Sequence, residues 1–443
     1  MQRSSWPKGF FVSEQPKQLV APTGTHDVLP DSSRAWERLI GTFSDMAHQW
    51  GFGLVLTPMF EDVAVFNRGI GEESDVARKE MYVFEDRGGR TLALRPEGTA
   101  SIVRAFVQHH PTTPWKAWYV TPAFRYERPQ AGRYRQHHQL GVEVLGTSDP
   151  LVDVEVISLA WRFYEAIGLR RIRLLINSMG HEECRGEFVV SLRRHLTDHE
   201  LQLCEEHQKV WSSNPLRVID CKKQECRSVV DAGPSIADAL CSECVTHFSA
   251  VSEGLTAIGV PWERNVKLVR GFDYYTRTTF EFVSDALDGA QNAVGGGGRY
   301  DRLAEDLGGS PTAGVGFGSG IERLLLALQA EDVAHFEVLR DDSIDVFVVD
   351  TTGGQEALQL SDLLRRNGFA VDRAFDSRSM KSQLKAADRS GARVAILVGP
   401  QELEVGTITI RDLRAIDESN RQRVISRIDV VDAVREAIET SLN

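Results

Sequence analysis

Residues 118–146 read WYVTPAFRYERPQAGRYRQHHQLGVEVLG. Both ends are rich in aromatic and β-branched residues and alternate with period 2, as β-strands do. The middle, ERPQAGRYRQ, is polar, contains Pro and Gly, and suits a long hairpin loop. Successive strand side chains point to opposite faces, so Leu140, Val142 and Val144 share one face and Gln139, Gly141 and Glu143 the other. On the incoming strand Arg125 and Glu127 fall together, opposite Phe124 and Tyr126. By itself, a strand pair that is apolar on one side and charged on the other is what a solvated antiparallel hairpin looks like.

The chain around this hairpin has 443 residues, of which 42% are hydrophobic, enough for two or three domains with sizeable cores. The net charge of −12 gives no global sign of a polyanion partner, so any nucleic-acid surface has to be local. No segment approaches the ~20 apolar residues of a membrane helix, and the first residues lack a signal-type apolar run. A soluble, cytoplasmic protein is the expectation, and six cysteines in such a length give no disulfide framework.

In chain order, residues 1–20 read as a loose tail. Ser32 or Ser33 is positioned to cap a helix with Trp36, Leu39, Ile40, Phe43, Ala47 and Trp50 at helical spacing, ended by Gly51. A short strand, LVLTP, follows. LALRPEGTA predicts a strand and then a helix opened by Pro96, which leaves Glu97 at the corner, a common place for a carboxylate to meet helix N–H groups. From about 177 to 257 the pattern turns helical and charged, as an insertion does. Cys221, Cys226, Cys241 and Cys244 lie inside it, but the CxxxxC half is loose for a zinc knuckle, so buried free thiols are expected and zinc is not.

The next strand expected is VKLVRG, delivering Arg270 at its end. LVRGFDYYTRTTFEF (268–282) and GGGGRYDRL (295–303) follow, the latter read as a loop or as backbone brought close to a ligand. In GVGFGSGIERLLLALQ (314–329), the glycines at 314, 316, 318 and 320 fall on one face of a strand and leave it bare enough for a flat base. Arg323 then opens a helix, where a cation is unfavourable and an anionic or adenine partner accounts for it. Residues 331–342 read as a linker. Beyond them, strand and helix alternate from DVFVVD to DVVDAVREAIE, predicting a compact α/β domain with a largely parallel sheet over 343–443. Arg373, Arg378, Lys381, Lys385, Arg389 and Arg393 concentrate positive charge there.

FRYERPQAGRYRQHHQLGVEVLG resembles motif 2 of the class II aminoacyl-tRNA synthetases in its histidyl-tRNA synthetase form. GVGFGSGIERLLLALQ resembles motif 3, and the stretches at 268–282 and 295–303 resemble the two signatures peculiar to the histidine family. The resemblance runs from about residue 20 to the C-terminus. It implies an α+β catalytic domain with an antiparallel sheet over 21–330, interrupted by the helical insertion, and a C-terminal α/β anticodon-binding domain. It implies activation of L-histidine by ATP with Mg2+ to an adenylate, then transfer to the 3′ end of tRNA(His). Arg125, Glu127 and Arg323 would bind ATP, with Arg125 and Arg270 catalytic and Arg270 over the α-phosphate. Histidine would be held by Glu97, Gly98, Thr99, Gln139, Glu143, Tyr274 and Tyr275, and the tRNA acceptor end by Arg128 and Gln130. Pro58, in motif 1, implies a homodimer. Two departures from the family pattern stand out, Phe272 in place of Leu and His137 in place of an aromatic residue. The competing reading is a non-catalytic paralogue that regulates the ATP phosphoribosyltransferase of histidine biosynthesis, but such proteins usually lack the C-terminal domain and the ATP-binding arginines.

Overall fold

The computed structural model describes residues 18–71, 74, 76–219, 221, 223–268, 274–287, 292–333, 344–376, 378–415 and 421–441. Most of the expected tail, all but three residues of the expected linker, and Arg270 with its neighbours 269–273 lie outside them. The chain divides into two units, 1–336 and 337–443.

In the first unit, α1 (Pro30–Gln49) is followed by the short β1 (Gly53–Leu54), β2 (Phe60–Asp62), α2 (Val63–Ile70), β3 (Val83–Glu85) and β4 (Thr91–Leu94). Next come α3 (Thr99–His109), the long strands β5 (Trp115–Phe124) and β6 (Gln136–Leu145), α4 (Pro150–Ala166) and β7 (Ile172–Ser178). A helical segment carries α5 (Glu182–Asp198), α6 (Glu205–Val210), α7 (Leu216–Ile219), α8 (Gln224–Asp231) and α9 (Ser242–Ala257). The chain then returns through β8 (Glu263–Arg264), β9 (Thr276–Ser284), β10 (Ala293–Arg299), α10 (Leu303–Asp306), β11 (Gly314–Gly320) and α11 (Ile321–Ala330).

Eight strands form one sheet in the order β1-β5-β6-β11-β10-β9-β7-β8. Its pairs are antiparallel except at the two edges, where β1 runs parallel to β5 and β8 to β7. The apolar side of β6 (Leu140, Val142, Val144) packs with Phe43, Trp118, Phe163, Phe280 and Phe317 in the main core, as its period-2 pattern requires. β2, β4 and β3 make a separate three-stranded sheet.

Several local expectations shift. α1 begins at Pro30 with Leu29 as N-cap, because Pro at the first helical position needs no N–H partner, so Ser32 and Ser33 lie inside the helix. LVLTP pairs only at its start. Residues 266–267 of VKLVRG form a turn rather than a strand, with Leu268 N–H bonded to the Asn265 carbonyl. The glycine run at 295–298 is not a loop but the middle of β10, and two of its members, Gly295 and Gly296, line the large cavity described below. A Cβ on Gly297 would sit 2.0 Å from the Gly316 carbonyl oxygen, and one on Gly298 2.6 Å from that of Thr278, so close strand packing demands glycine there.

The second unit holds β12 (Val346–Asp350), α12 (Gln355–Arg366), β13 (Val371–Arg373), α13 (Met380–Arg389), β14 (Val394–Val398), α14 (Pro400–Val405), β15 (Thr407–Asp412), β16 (Gln422–Ser426) and α15 (Val430–Ser441). Strand order is β13-β12-β14-β15-β16. Only the first three strands are parallel, whereas β15 and β16 are antiparallel, so the largely parallel sheet expected is a mixed one. β16 (QRVIS) escaped the sequence reading because four of its five residues are exposed, which leaves no alternation to detect.

Candidate active site

The polar side of the central strands is built by register. Gln139, Gly141 and Glu143 on β6 lie opposite Gly320, Gly318 and Gly316 on β11, and opposite Thr121, Tyr119 and Ala117 on β5. The glycines are there for steric reasons. A Cβ on Gly316 would lie 1.7 Å from Glu143 Oε2, and one on Gly141 2.3 Å from the Tyr119 ring. Gly314 is similarly filled by Tyr300 at 2.3 Å. The bare strand face read from four glycines therefore shrinks to Gly318, with its nearest atom at 3.6 Å, and Gly320, with nothing within 4 Å.

Glu143 is fully buried rather than solvated. Its carboxyl accepts from Thr99 Oγ1 at 2.8 Å and Tyr119 OH at 3.2 Å, and pairs with Tyr300 OH at 2.5 Å. Burial pushes its pKa up to about 8. Glu97 is also buried, and both its oxygens take helix N–H groups, Thr99 at 2.6 Å and Ala100 at 2.7 Å. That is the helix-corner role, and it orients the start of α3; burial raises Glu97 as well. Gly98 N–H donates to Gln139 Oε1 at 3.1 Å, which leaves the amide NH2 of Gln139 as the group for a ligand acceptor. The rings of Tyr274 and Tyr275 lie 4.6 Å apart, tilted at 50° to each other, and join Tyr300 in one buried cluster.

The pKa of Glu143 makes stability pH-dependent. Its folded value lies above the ordinary 4.5, so the stabilisation from keeping it protonated is fully present below 4.5 and is lost as pH rises through about 8. Glu143→Gln removes this titration. Thermal unfolding of wild type against the variant should show the wild type losing stability relative to Gln between pH 5 and pH 8. Parallel pH profiles would mean that Glu143 is ionised in the fold.

Beside this cluster opens a cavity of about 1180 Å³ lined by Arg125, Glu127, Arg133, His137, Gln139, Glu281, Gly318, Gly320 and Arg323, with α8 of the helical segment on its far wall. β5 ends at Phe124, so Arg125 and Glu127 lie in the loop rather than on the strand. Glu127 stands between Arg133 (3.4 Å) and Arg125 (3.9 Å), and Arg125 Nε donates to the Pro96 carbonyl at 2.9 Å. Arg323 donates to the carbonyls of Gly132 (3.2 Å) and Ala293 (2.7 Å). It thus has partners within the chain and needs no ligand to account for its place at a helix start. Burial, and then Arg133 and Arg125 nearby, weaken its hold on its proton, so an anion placed among these guanidiniums relieves their repulsion. His137 is held down to about 3 by burial and by Arg125 and Arg323, so it is neutral at physiological pH. Arg128 and Gln130 are exposed on the same loop.

The structure thus gathers Arg125, Glu127, Gln139 and Arg323 on one cavity, and Glu97, Thr99, Glu143, Tyr274 and Tyr275 in the buried cluster beside it. Tyr119 and Tyr300 were missed around Glu143, although Tyr300 lies in the quoted GGGGRYDRL stretch. A tyrosine's partner across 157 residues leaves no local signal. Also unforeseen is a fully buried ion pair in which Arg299 binds Asp153, which His247 Nε2 contacts at 2.8 Å; Arg299 further holds the carbonyls of Thr147 and Asp149, both at 3.1 Å.

A largely antiparallel sheet with a glycine-floored cavity, arginines on its hairpin loop and at the helix after β11, and a buried acceptor pocket alongside is the catalytic core of a class II aminoacyl-tRNA synthetase. The Histidyl-tRNA synthetase family model matches residues 24–181 and 220–324, and an Anticodon binding domain model matches 344–437. The chain belongs to the histidyl-tRNA synthetase family. It is 44% identical over 400 residues to the histidine–tRNA ligase of Halothermothrix orenii (89% of this chain, 94% of that one) and 44% identical over 406 residues to that of Geobacillus kaustophilus (90% and 95%). Among solved structures, the apo histidyl-tRNA synthetase of S. aureus superposes with a TM-score of 0.78 at 33% identity, covering 94% of this chain and 100% of that one.

Proposed function

We propose that the protein is a histidine–tRNA ligase, forming histidyl adenylate and pyrophosphate from L-histidine and ATP and then esterifying the 3′ end of tRNA(His). The observation that carries this reading is the adjacency, on β6 and β11, of an arginine-lined cavity and a buried pocket centred on Glu143. Activation brings two anions together, a carboxylate and the α-phosphate, so the protein has to neutralise charge and align the reactants rather than supply a nucleophile.

In this reading Arg125 and Arg323 grip the phosphates, the adenine lies on Gly318 and Gly320, and Glu127 accepts from its amino group. Arg270, outside the described residues, acts over the α-phosphate. Mg2+ arriving with ATP would supply charge neutralisation to the phosphates, and Glu281 is a carboxylate of the cavity that would hold it. The substrate imidazole meets Glu143 and Tyr275. Glu97 and Thr99 serve the α-amino group with their remaining acceptor capacity, while the Gln139 NH2 meets the carboxylate. Arg128 and Gln130 contact the tRNA acceptor end.

The catalytic domain is assigned to 21–330, the linker to 331–342 and the anticodon-binding domain to 343–443. In that last domain Lys381, Lys385 and Arg389 follow i, i+4, i+8 along the exposed side of α13, a stripe suited to phosphates. Leu54, Leu56, Met59, Phe60, Val83 and Phe84 form an exposed apolar group around Pro58, which fits burial in a homodimer. Cytoplasmic residence follows from the role in translation. The regulatory-paralogue reading does not explain the retained arginines or the second unit.

Pyrophosphate exchange into ATP, run with each amino acid in turn, tests the proposal. Exchange is expected with histidine alone, and its absence with every amino acid would return the chain to the regulatory reading.

A further inference from the structure

The cysteines in the helical segment do not form the single set of Cys221, Cys226, Cys241 and Cys244 weighed from sequence. They divide into two tetrads, each completed by a histidine and a further cysteine: His181, Cys184, Cys241 and Cys244 in one, and Cys204, His207, Cys221 and Cys226 in the other. Within each tetrad the potential ligand atoms all lie within 4.8 Å of one another. All six cysteines of the chain are used, with none left elsewhere.

The spacings are those of ligands around one ion. Tetrahedral zinc with Zn–S of about 2.3 Å and Zn–N of about 2.0–2.1 Å places sulfurs about 3.8 Å apart and sulfur and nitrogen about 3.6 Å apart. In the first tetrad Cys184 Sγ and Cys244 Sγ are 4.0 Å apart, and His181 Nδ1 is 3.1, 3.4 and 3.9 Å from Cys184, Cys244 and Cys241. In the second, His207 Nδ1 is 3.0 Å from Cys204 and 3.9 Å from Cys226. These separations are far beyond the ~2.05 Å of a disulfide.

The surroundings are those of thiolate ligands. Backbone N–H groups point at sulfur, from Cys241 to Cys184 at 3.2 Å, from Cys244 to Cys241 at 3.5 Å and from Cys204 to Cys226 at 3.3 Å. Glu183 contacts the outer nitrogen of His181 at 3.4 Å, leaving Nδ1 to the sulfurs, the carboxylate–histidine arrangement that orients metal ligands. Gly180 has φ of 62°, and a Cβ there would lie 2.5 Å from Cys184 Cβ, so the chain folds back on the first tetrad only with glycine at this position.

We propose that the helical segment holds two structural Zn2+ ions, each in a closed Cys3His site. The first ties the segment's exit after β7 to its return at the start of α9. The second pins the start of α6 to α8 and to the connection before it, inside a small core that counts Cys204 and Cys226 among its buried members. Such a core gains most from a metal staple, because its apolar burial is limited. Cys221 also lines the large cavity, together with Gln224, Arg227 and Val230 of α8, so the second ion stiffens the wall facing the reaction site. Three of the eight ligands, Cys184, Cys204 and His207, fall in the stretch 182–219 between the two segments matched by the family model, and the other five lie inside those segments.

The test is elemental analysis of the full-length protein purified without chelator, combined with zinc release as the thiols are titrated with a mercurial reagent. Two zinc ions per chain are expected, with Cys184→Ser and Cys226→Ser each losing one. Should either variant fail to fold, Co2+ loading of the metal-stripped wild type decides: tetrahedral d–d and thiolate charge-transfer bands support the sites. Background zinc, six freely reacting thiols and no such bands would overturn the proposal, as would disulfides within the tetrads.

Discussion

Arg323→Ala is expected to slow histidine-dependent pyrophosphate exchange roughly 10²- to 10³-fold, the usual loss when one preorganised charge donor is removed from a transition state. The guanidinium is fixed before substrate arrives, by the carbonyls of Gly132 on the hairpin loop and Ala293 on β10, so it needs little reorganisation as charge develops on the phosphates. The effect belongs in the rate more than in the apparent affinity for histidine, because the histidine pocket around Glu143 does not involve Arg323. Arg323→Lys should recover only part of the loss, since an ammonium keeps the charge but cannot span two carbonyls and a phosphate with one planar group. Near-normal exchange by the alanine variant, with a lowered melting temperature, would reduce Arg323 to a brace between loop and strand.

The largest stability effect is expected at Asp153→Ala. Arg299 and Asp153 both have fully buried side chains, and removing this carboxylate takes away the buried counter-ion and leaves the guanidinium only the part-exposed Asp301, at a cost of up to about 3–5 kcal/mol. Burial works to raise the Asp153 pKa, but His247 and Arg299 outweigh it and hold the group below its ordinary value. The pair also fastens the turn before α4 to the end of β10, next to Tyr300, so histidine binding should weaken along with the fold. Glu155→Ala, on the same helix, breaks a partly exposed pair with Lys116 of β5 and should cost at most about 1 kcal/mol. Denaturant unfolding of the two variants side by side measures the contrast. Equal small losses would show that Arg299 finds other partners, with Asp301 at 3.3 Å the nearest candidate.

Local pattern carried a good part of this protein. The period-2 runs at 118–124 and 136–145, the helix after Glu97 (though it starts at Thr99 with Gly98 as N-cap, so Pro96 lies ahead of it rather than in its first turn) and the alternating elements beyond 344 all declare themselves within a few residues, because strand and helix periodicity are properties of neighbours. The quoted motifs carried the family for the same reason, each being a short contiguous stretch. Non-local relations left no such trace. Whether Glu143 faces water or a buried pocket depends on Thr99, Tyr119 and Tyr300, which come from three other elements. Four alternating glycines look alike in sequence, yet two of them make room for Tyr300 and Glu143 and only two leave open surface, a distinction made by side chains that arrive from other elements. The cysteines mislead in the same way. CxxC and CxxxxC spacings invite pairing along the chain, whereas the fold joins Cys241 and Cys244 to His181 and Cys184 some 60 residues earlier, because β7 and α9 bring the exit and return of the helical segment together.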